Sequence, residues 1–158
     1  MLAGLVLSLL VAQADRLTVY VFTTTDCPIS NRYAPEIQRL ASKFKDRAKF
    51  VLVYPVPADS ADAILEHHKK FGYTLESIRD ASLVKKTGVT VTPEVAVMAG
   101  DRLAYRGRID DRYVELGRER PTPTTRDLEA ALTALAAGKP VAVRETRAIG
   151  CILADLIK

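Results

Sequence analysis

Cys27 stands in the run Thr24-Thr-Asp-Cys-Pro-Ile-Ser30, between two segments of opposite pattern. Upstream, Arg16-Leu-Thr-Val-Tyr-Val-Phe-Thr23 is dense in β-branched and aromatic residues and too short for a typical helix, so it predicts a buried strand. Downstream, Ile29, Tyr33, Ile37, Leu40 and Phe44 recur at helical spacing. A thiol placed where a strand turns into a helix meets unpaired amide hydrogens and the positive end of the helix dipole. Both favour the thiolate, which is the nucleophilic form. Pro28 suits the first helical turn, where an amide hydrogen has no partner anyway. Asp26 opposes this field with a negative charge beside the sulfur. Ser30 offers a hydroxyl that can hydrogen-bond the sulfur, but no second thiol within the turn. Cys151 is the other cysteine of the chain. The plain alternative is that both cysteines are inert, packed as small hydrophobes.

Holding such a turn in place requires a sheet behind it. Lys49-Phe-Val-Leu-Val-Tyr54 reads as a second strand, and the helix opening at Ile29 is expected to run to about Asp46, kinked at Pro35. Asp59 or Ser60 caps a further helix through Phe71, with Gly72 as its left-handed stop. Residues 73–80 carry no clear period, and a short helix over 81–86 ends near Gly88. Residues 94–98 and 102–105 flank the turn Ala99-Gly-Asp101 and predict a hairpin. Thr124-x-x-Asp127 resembles a capping box, and Leu128, Ala131, Leu132 and Leu135 mark a last helix ending at Gly138. From about Lys139 a tail leads to Cys151. Strand and helix alternate before the hairpin, the pattern of an α/β sheet with crossover helices.

At 158 residues the chain is long enough for one core and short for two. Its net charge is +4, yet basic and acidic residues interleave, as in Arg108-Ile-Asp-Asp-Arg112, so nucleic acid is not an expected partner and that segment reads as a solvated loop. The first fourteen residues are apolar or small and end in Ala12-Gln-Ala14, the pattern of a secretory signal, although the terminal amine alone supplies its positive charge. The run falls short of the roughly 20 apolar residues that span a bilayer, so no stable membrane span is expected. Residues 1–14 are read as a signal peptide and 15–158 as a single exported domain, periplasmic or extracellular, where disulfides persist. Side chains of the neighbours His67 and His68 diverge on a helix and read as solvated surface groups; neither a metal nor an organic cofactor is expected.

Val19-Tyr-Val-Phe-Thr-Thr-Thr-Asp-Cys-Pro-Ile-Ser30 resembles the active-site strand and turn of thioredoxin-like proteins, and Gly88-Val-Thr-Val-Thr-Pro-Glu-Val95 resembles their cis-proline loop. The runs Asp26-Cys-Pro-Ile-Ser-Asn31 and Tyr105-Arg-Gly-Arg-Ile-Asp-Asp-Arg-Tyr113, with the pair Gly150-Cys151, are similar to exported redoxins grouped with alkyl hydroperoxide reductase and thiol-specific antioxidant domains. The resemblance covers residues 17–152. It implies a thioredoxin-like α/β fold, a central mixed sheet flanked by helices, with a C-terminal tail. It also implies thiol–disulfide oxidoreduction through an accessible Cys27, acting on protein thiols, protein disulfides or small peroxides, with a redox partner supplying electrons. Cys151 on a mobile tail is then the thiol that resolves oxidised Cys27, within one chain or across a dimer; a static Cys27–Cys151 disulfide is the alternative. Thr92, Pro93 and Pro28 are expected to shape the substrate edge. For a peroxidase of the peroxiredoxin type, Thr24 matches the threonine that orients peroxide, but Tyr20 stands where that motif has proline; Arg106 or Arg108 is the candidate for stabilising negative charge at the thiol. Because Ser30 replaces the second motif cysteine, a non-catalytic binding or assembly module on the same fold also stays open.

Overall fold

The computed structural model describes residues 16–157; the expected signal segment 1–14 lies outside them. β1 (Leu17–Phe22) leads through the cysteine turn into α1 (Pro28–Arg32) and α2 (Ala34–Lys43). The one kinked helix expected to reach Asp46 is therefore two. The Tyr33 N–H closes α1 onto the Ser30 carbonyl at 3.1 Å, and Pro35 falls in the first turn of α2, where its missing N–H leaves nothing unpaired. β2 (Ala48–Val53) follows. α3 (Ala61–Phe71) starts at Ser60, whose hydroxyl accepts the Ala63 N–H at 3.1 Å, and stops at Gly72 with φ 67°. β3 (Glu76–Ile78) forms in the stretch that lacks a sequence period, because the β2 edge offers it a partner.

α4 (Ser82–Thr87), β4 (Val91–Thr92), β5 (Glu94–Ala99) and β6 (Arg102–Gly107) come next. A small ribbon of β7 (Tyr113–Glu115) and β8 (Arg118–Glu119) precedes α5 (Asp127–Ala136), and the chain closes with β9 (Cys151–Ile152) and α6 (Leu153–Leu156). The central sheet has the order β3-β2-β1-β5-β6, with the first three strands parallel and the last two antiparallel. On one face Ile37, Leu40, Ile64, Leu128 and Leu132 from α2, α3 and α5 cover Val19, Val21 and Leu52. On the other, Leu83 of α4 and Leu153 of α6 pack on Phe22, Val53 and Ala96. Each such side chain, fully buried, stabilises the fold by about 1.5–3 kcal/mol. β1 lies at the centre with both faces covered, so the turn at its end is carried on the most constrained strand of the sheet.

The tail expected to be mobile is woven into the domain. Thr146 N–H bonds the Arg106 carbonyl at 3.1 Å, Arg106 N–H bonds the Arg144 carbonyl at 3.0 Å, and the Thr146 hydroxyl meets the Tyr105 hydroxyl at 2.7 Å. Gly107, at φ 148°, permits this crossing, since a Cβ there would overlap Thr146. Beyond it Leu153, 1% exposed, is sealed into the second core and its N–H bonds the Thr90 carbonyl at 2.9 Å.

The capping-box expectation is replaced as well. The Thr124 and Thr125 N–H groups turn to Asp111 Oδ1, at 2.6 and 2.9 Å, and α5 begins without a side-chain cap. Burial pushes the Asp111 carboxyl up, but hydrogen bonds from the Thr124 hydroxyl and the two amides outweigh it and bring it to about 2. Glu129, held by Arg39 and Lys43, is likewise lowered to about 2. Both folded values lie below the unfolded ones, so the stabilisation is complete above about pH 5 and is lost as pH falls through about 2. Melting temperature is expected to drop across that window, and Asp111→Asn to flatten the drop; thermal unfolding measured at successive pH values checks both.

Candidate redox site

Cys27 caps the amino end of α1, with its carbonyl accepting the Asn31 N–H at 3.0 Å and Pro28 opening the helix. Its thiol donates to the Thr92 carbonyl at 3.3 Å, and its sulfur lies 3.0 Å from the sulfur of Cys151. Both cysteines are free thiols. A disulfide needs about 2.05 Å, so the two sulfurs have about 1 Å to close. Cys151 reaches this position because β9 pairs antiparallel with β4, Thr92 opposite Cys151 and Val91 opposite Ile152. The Thr92–Pro93 peptide is cis. A Cβ on Gly150 would overlap the Thr92 carbonyl, so glycine is what lets the tail backbone approach this closely.

This arrangement corrects the expected exposure of Cys27. The residue is 2% exposed, because the tail lies over the turn; Cys151 is the partly exposed member of the pair. It also changes the role of Thr92, whose free edge is taken by the chain's own β9.

Burial alone pushes the Cys27 thiol up, but hydrogen bonds from the Cys151 thiol, from the Ser30 hydroxyl and N–H, and from the Thr92 hydroxyl outweigh it and hold the group below its ordinary value. Ser30 Oγ and Thr92 Oγ1 are buried and otherwise unpartnered, so both hydroxyls are free to turn onto the sulfur as it ionises. Cys151 moves the opposite way. Burial raises it first, then the hydrogen bond to Cys27 and the charge there, to about 12. Of the two thiols Cys27 is therefore the one that ionises first, while Cys151 keeps its proton. Thiolate absorbance is expected to appear in one step below the ordinary cysteine range; Ser30→Ala is expected to move that step to higher pH, and an ultraviolet pH titration measures both.

Polar groups behind the turn fix its shape. Asp59 Oδ1 accepts from the Thr25 N–H at 3.1 Å and the Thr25 hydroxyl at 2.6 Å, so Asp59 holds the turn and does not cap α3. Asn31 donates to the Thr25 carbonyl at 3.3 Å and accepts from His67 Nε2 at 2.6 Å, while His67 Nδ1 takes the Tyr54 hydroxyl at 2.8 Å. With Nε2 donating to Asn31, Nδ1 accepts from Tyr54, and a neutral imidazole satisfies both ends. Burial lowers the His67 pKa and keeps that form. His67 is 4% exposed, not the solvated group the sequence led us to expect. Removing its ring with His67→Leu leaves the buried Tyr54 hydroxyl and the half-buried Asn31 carbonyl without their partner and is expected to cost about 2 kcal/mol, measurable by denaturant unfolding. Glu94, directly after Pro93, accepts from the N–H groups of Thr90 and Val91 at 2.7 and 3.3 Å and clamps the proline loop. The sequence carries a signal for this role of Glu94, an acid beside a loop whose amides need partners.

The remaining candidates are engaged with other partners or make no hydrogen bond to the sulfur. Arg108 is held by Asp127 at 2.8 Å and by Thr125, and Arg106 by the Gly88 carbonyl at 2.9 Å and by Glu145. Thr24 is buried, and among the described residues its hydroxyl makes no hydrogen bond to the Cys27 sulfur. Among the described residues no cluster of three or more His, Cys, Asp or Glu forms a metal site, and no helix is long and apolar enough to cross a membrane.

No protein-family model and no curated protein matches the sequence. Solved structures do. An uncharacterised conserved protein from Geobacillus kaustophilus superposes with TM-score 0.75 at 27% identity, over 87% of this chain and 76% of the other. A hypothetical protein from Sinorhizobium meliloti 1021 superposes with TM-score 0.73 at 23% identity, over 88% and 79%. A secreted disulfide oxidoreductase of Mycobacterium tuberculosis, homologous to DsbE of E. coli, superposes with TM-score 0.54 at 19% identity, over 75% and 81%. The chain has the thioredoxin-like fold: a mixed central sheet between helices, with Cys27 at the helix start that follows its central strand.

Proposed function

We propose that this chain is an exported thiol–disulfide oxidoreductase of the thioredoxin type, on the redoxin branch, in which Cys27 and Cys151 alternate between a dithiol and a disulfide. The observation that carries the reading is the 3.0 Å approach of the two sulfurs beside the cis Thr92–Pro93 peptide. Ser30 at the third position after Cys27 leaves no partner within the turn, and β9 delivers one from the tail. The Cys27 thiolate, favoured by the donors around it, supplies both the nucleophile and a good leaving group. The substrates are protein thiols and disulfides, and no organic cofactor is required. Export is supported by the apolar run ending at Ala14 and by the secreted protein among the structural relatives. Arg106 and Arg108 are committed to other partners, which supports disulfide exchange over peroxide reduction.

The test is turnover. Full-length chain oxidised with diamide is expected to oxidise a peptide dithiol stoichiometrically and to lose this in both Cys27→Ser and Cys151→Ser. Activity that survives Cys151→Ser unchanged contradicts the paired mechanism.

A further inference from the structure

Thiol–disulfide exchange is directional in space: the attacking sulfur, the attacked sulfur and the leaving sulfur lie close to one line, so each end of a disulfide can be attacked only from its own far side. In this chain the two far sides differ. Cys27 is itself 2% exposed and belongs to the core, and its neighbours Ser30, at 1%, and Thr92, at 0%, leave no open approach to its sulfur. Cys151 is partly open to solvent. The tail that carries it is fixed before and after the cysteine, by Gly150 fitted against the Thr92 carbonyl and by Leu153 buried under β1 and β2. The strand edge along which a foreign peptide could pair its way to Cys27 is filled by β9.

From this geometry we propose that Cys151 is the sulfur that external thiols attack and Cys27 the sulfur that leaves, so that the tail is a built-in substrate strand presenting its own cysteine outward. The proposal rests on the oxidoreductase reading above and assigns the order of events within it. A substrate thiolate bonds to Cys151 Sγ as the Cys151–Cys27 bond breaks, and the electron pair departs on Cys27 Sγ. The second thiolate of the same substrate then attacks the substrate sulfur of the mixed disulfide. A substrate disulfide forms, and Cys151 leaves with the pair and takes up a proton. The substrate dithiol loses two electrons and two protons; the chain gains both electrons, one proton ends on Cys151 and the other in solvent. Exchange with a disulfide-bearing partner, by the same steps reversed, restores the bridge. The opposite shifts of the two thiols favour this polarity, because the better leaving group is the inner one.

The experiment is a trap on the full chain. Protein oxidised with diamide, freed of reagent and mapped for its disulfide, is mixed briefly with reduced glutathione, quenched in acid, alkylated and digested. Glutathione is expected on Cys151 and the alkyl label on Cys27, in roughly tenfold excess or more over the reverse pattern. Glutathione on Cys27, or an even division between the two, overturns the proposal while leaving the oxidoreductase reading in place. If the oxidised protein contains no Cys27–Cys151 bridge, the oxidoreductase reading fails and takes the proposal with it.

Discussion

Cys27→Ser is expected to slow disulfide exchange with a peptide dithiol by about 10³-fold or more, the scale on which loss of a reacting nucleophile acts. The reason is local. The Ser30 hydroxyl and amide, the Thr92 hydroxyl and the Cys151 thiol all converge on this sulfur, and none of that stabilisation passes to Cys151, which burial and the neighbouring charge push the other way. Cys151→Ser should lose turnover as well, for a different cause, since the thiolate survives but has no sulfur to bridge. An ultraviolet titration separates the two: the thiolate step below the ordinary cysteine range disappears in Cys27→Ser and persists in Cys151→Ser. A step that persists in Cys27→Ser assigns the thiolate to the wrong residue.

Gly150→Val is the second substitution with a large expected effect. Any Cβ at that position overlaps the Thr92 carbonyl, so β9 must lift from β4 and carry Cys151 away from Cys27. Overpacking of this kind costs about 1–3 kcal/mol. Cys151 lies one residue on, so bridge formation is expected to fall by about tenfold or more, given the narrow geometry a disulfide tolerates. Denaturant unfolding reads the first effect and diamide-driven crosslinking the second. Because the thiolate keeps its Ser30 donors, the ultraviolet step should survive at a somewhat higher pH. A variant that is destabilised yet bridges at the wild-type rate shows that β9 does not position Cys151.

Elements whose determinants are local could be read from the chain. β1 is a run of β-branched and aromatic residues, α3 carries its cap at Ser60 and its stop at Gly72, and the β5–β6 hairpin turns at a glycine. Cys27 at a helix start followed from the same periodicity, and Cys151 was the one other thiol in the sequence that could meet it. What escaped was set by partners distant in sequence. The burial of Cys27 depends on a strand that begins at Cys151, and nothing near residue 27 encodes it. His67 looks like half of a solvated pair until Tyr54 and Asn31 are seen to satisfy its two nitrogens. The same holds for Asp111, whose carboxylate takes the amides expected to be capped within residues 124–127. The division of α1 from α2 is a milder case, since the apolar spacing runs through Tyr33 unbroken while the backbone does not.

The proposed chemistry requires one reversible bond between two sulfurs held on separate segments, a buried one on the turn after β1 and an outer one on the tail. Equilibrating the full chain in glutathione buffers of stepped potential, quenching in acid and weighing the alkylated products reads that bond directly. A single two-electron transition, with both cysteines gaining or losing label together, is the predicted result. Two thiols that stay separately alkylated at every potential, or a bridge that no buffer reduces, would contradict it.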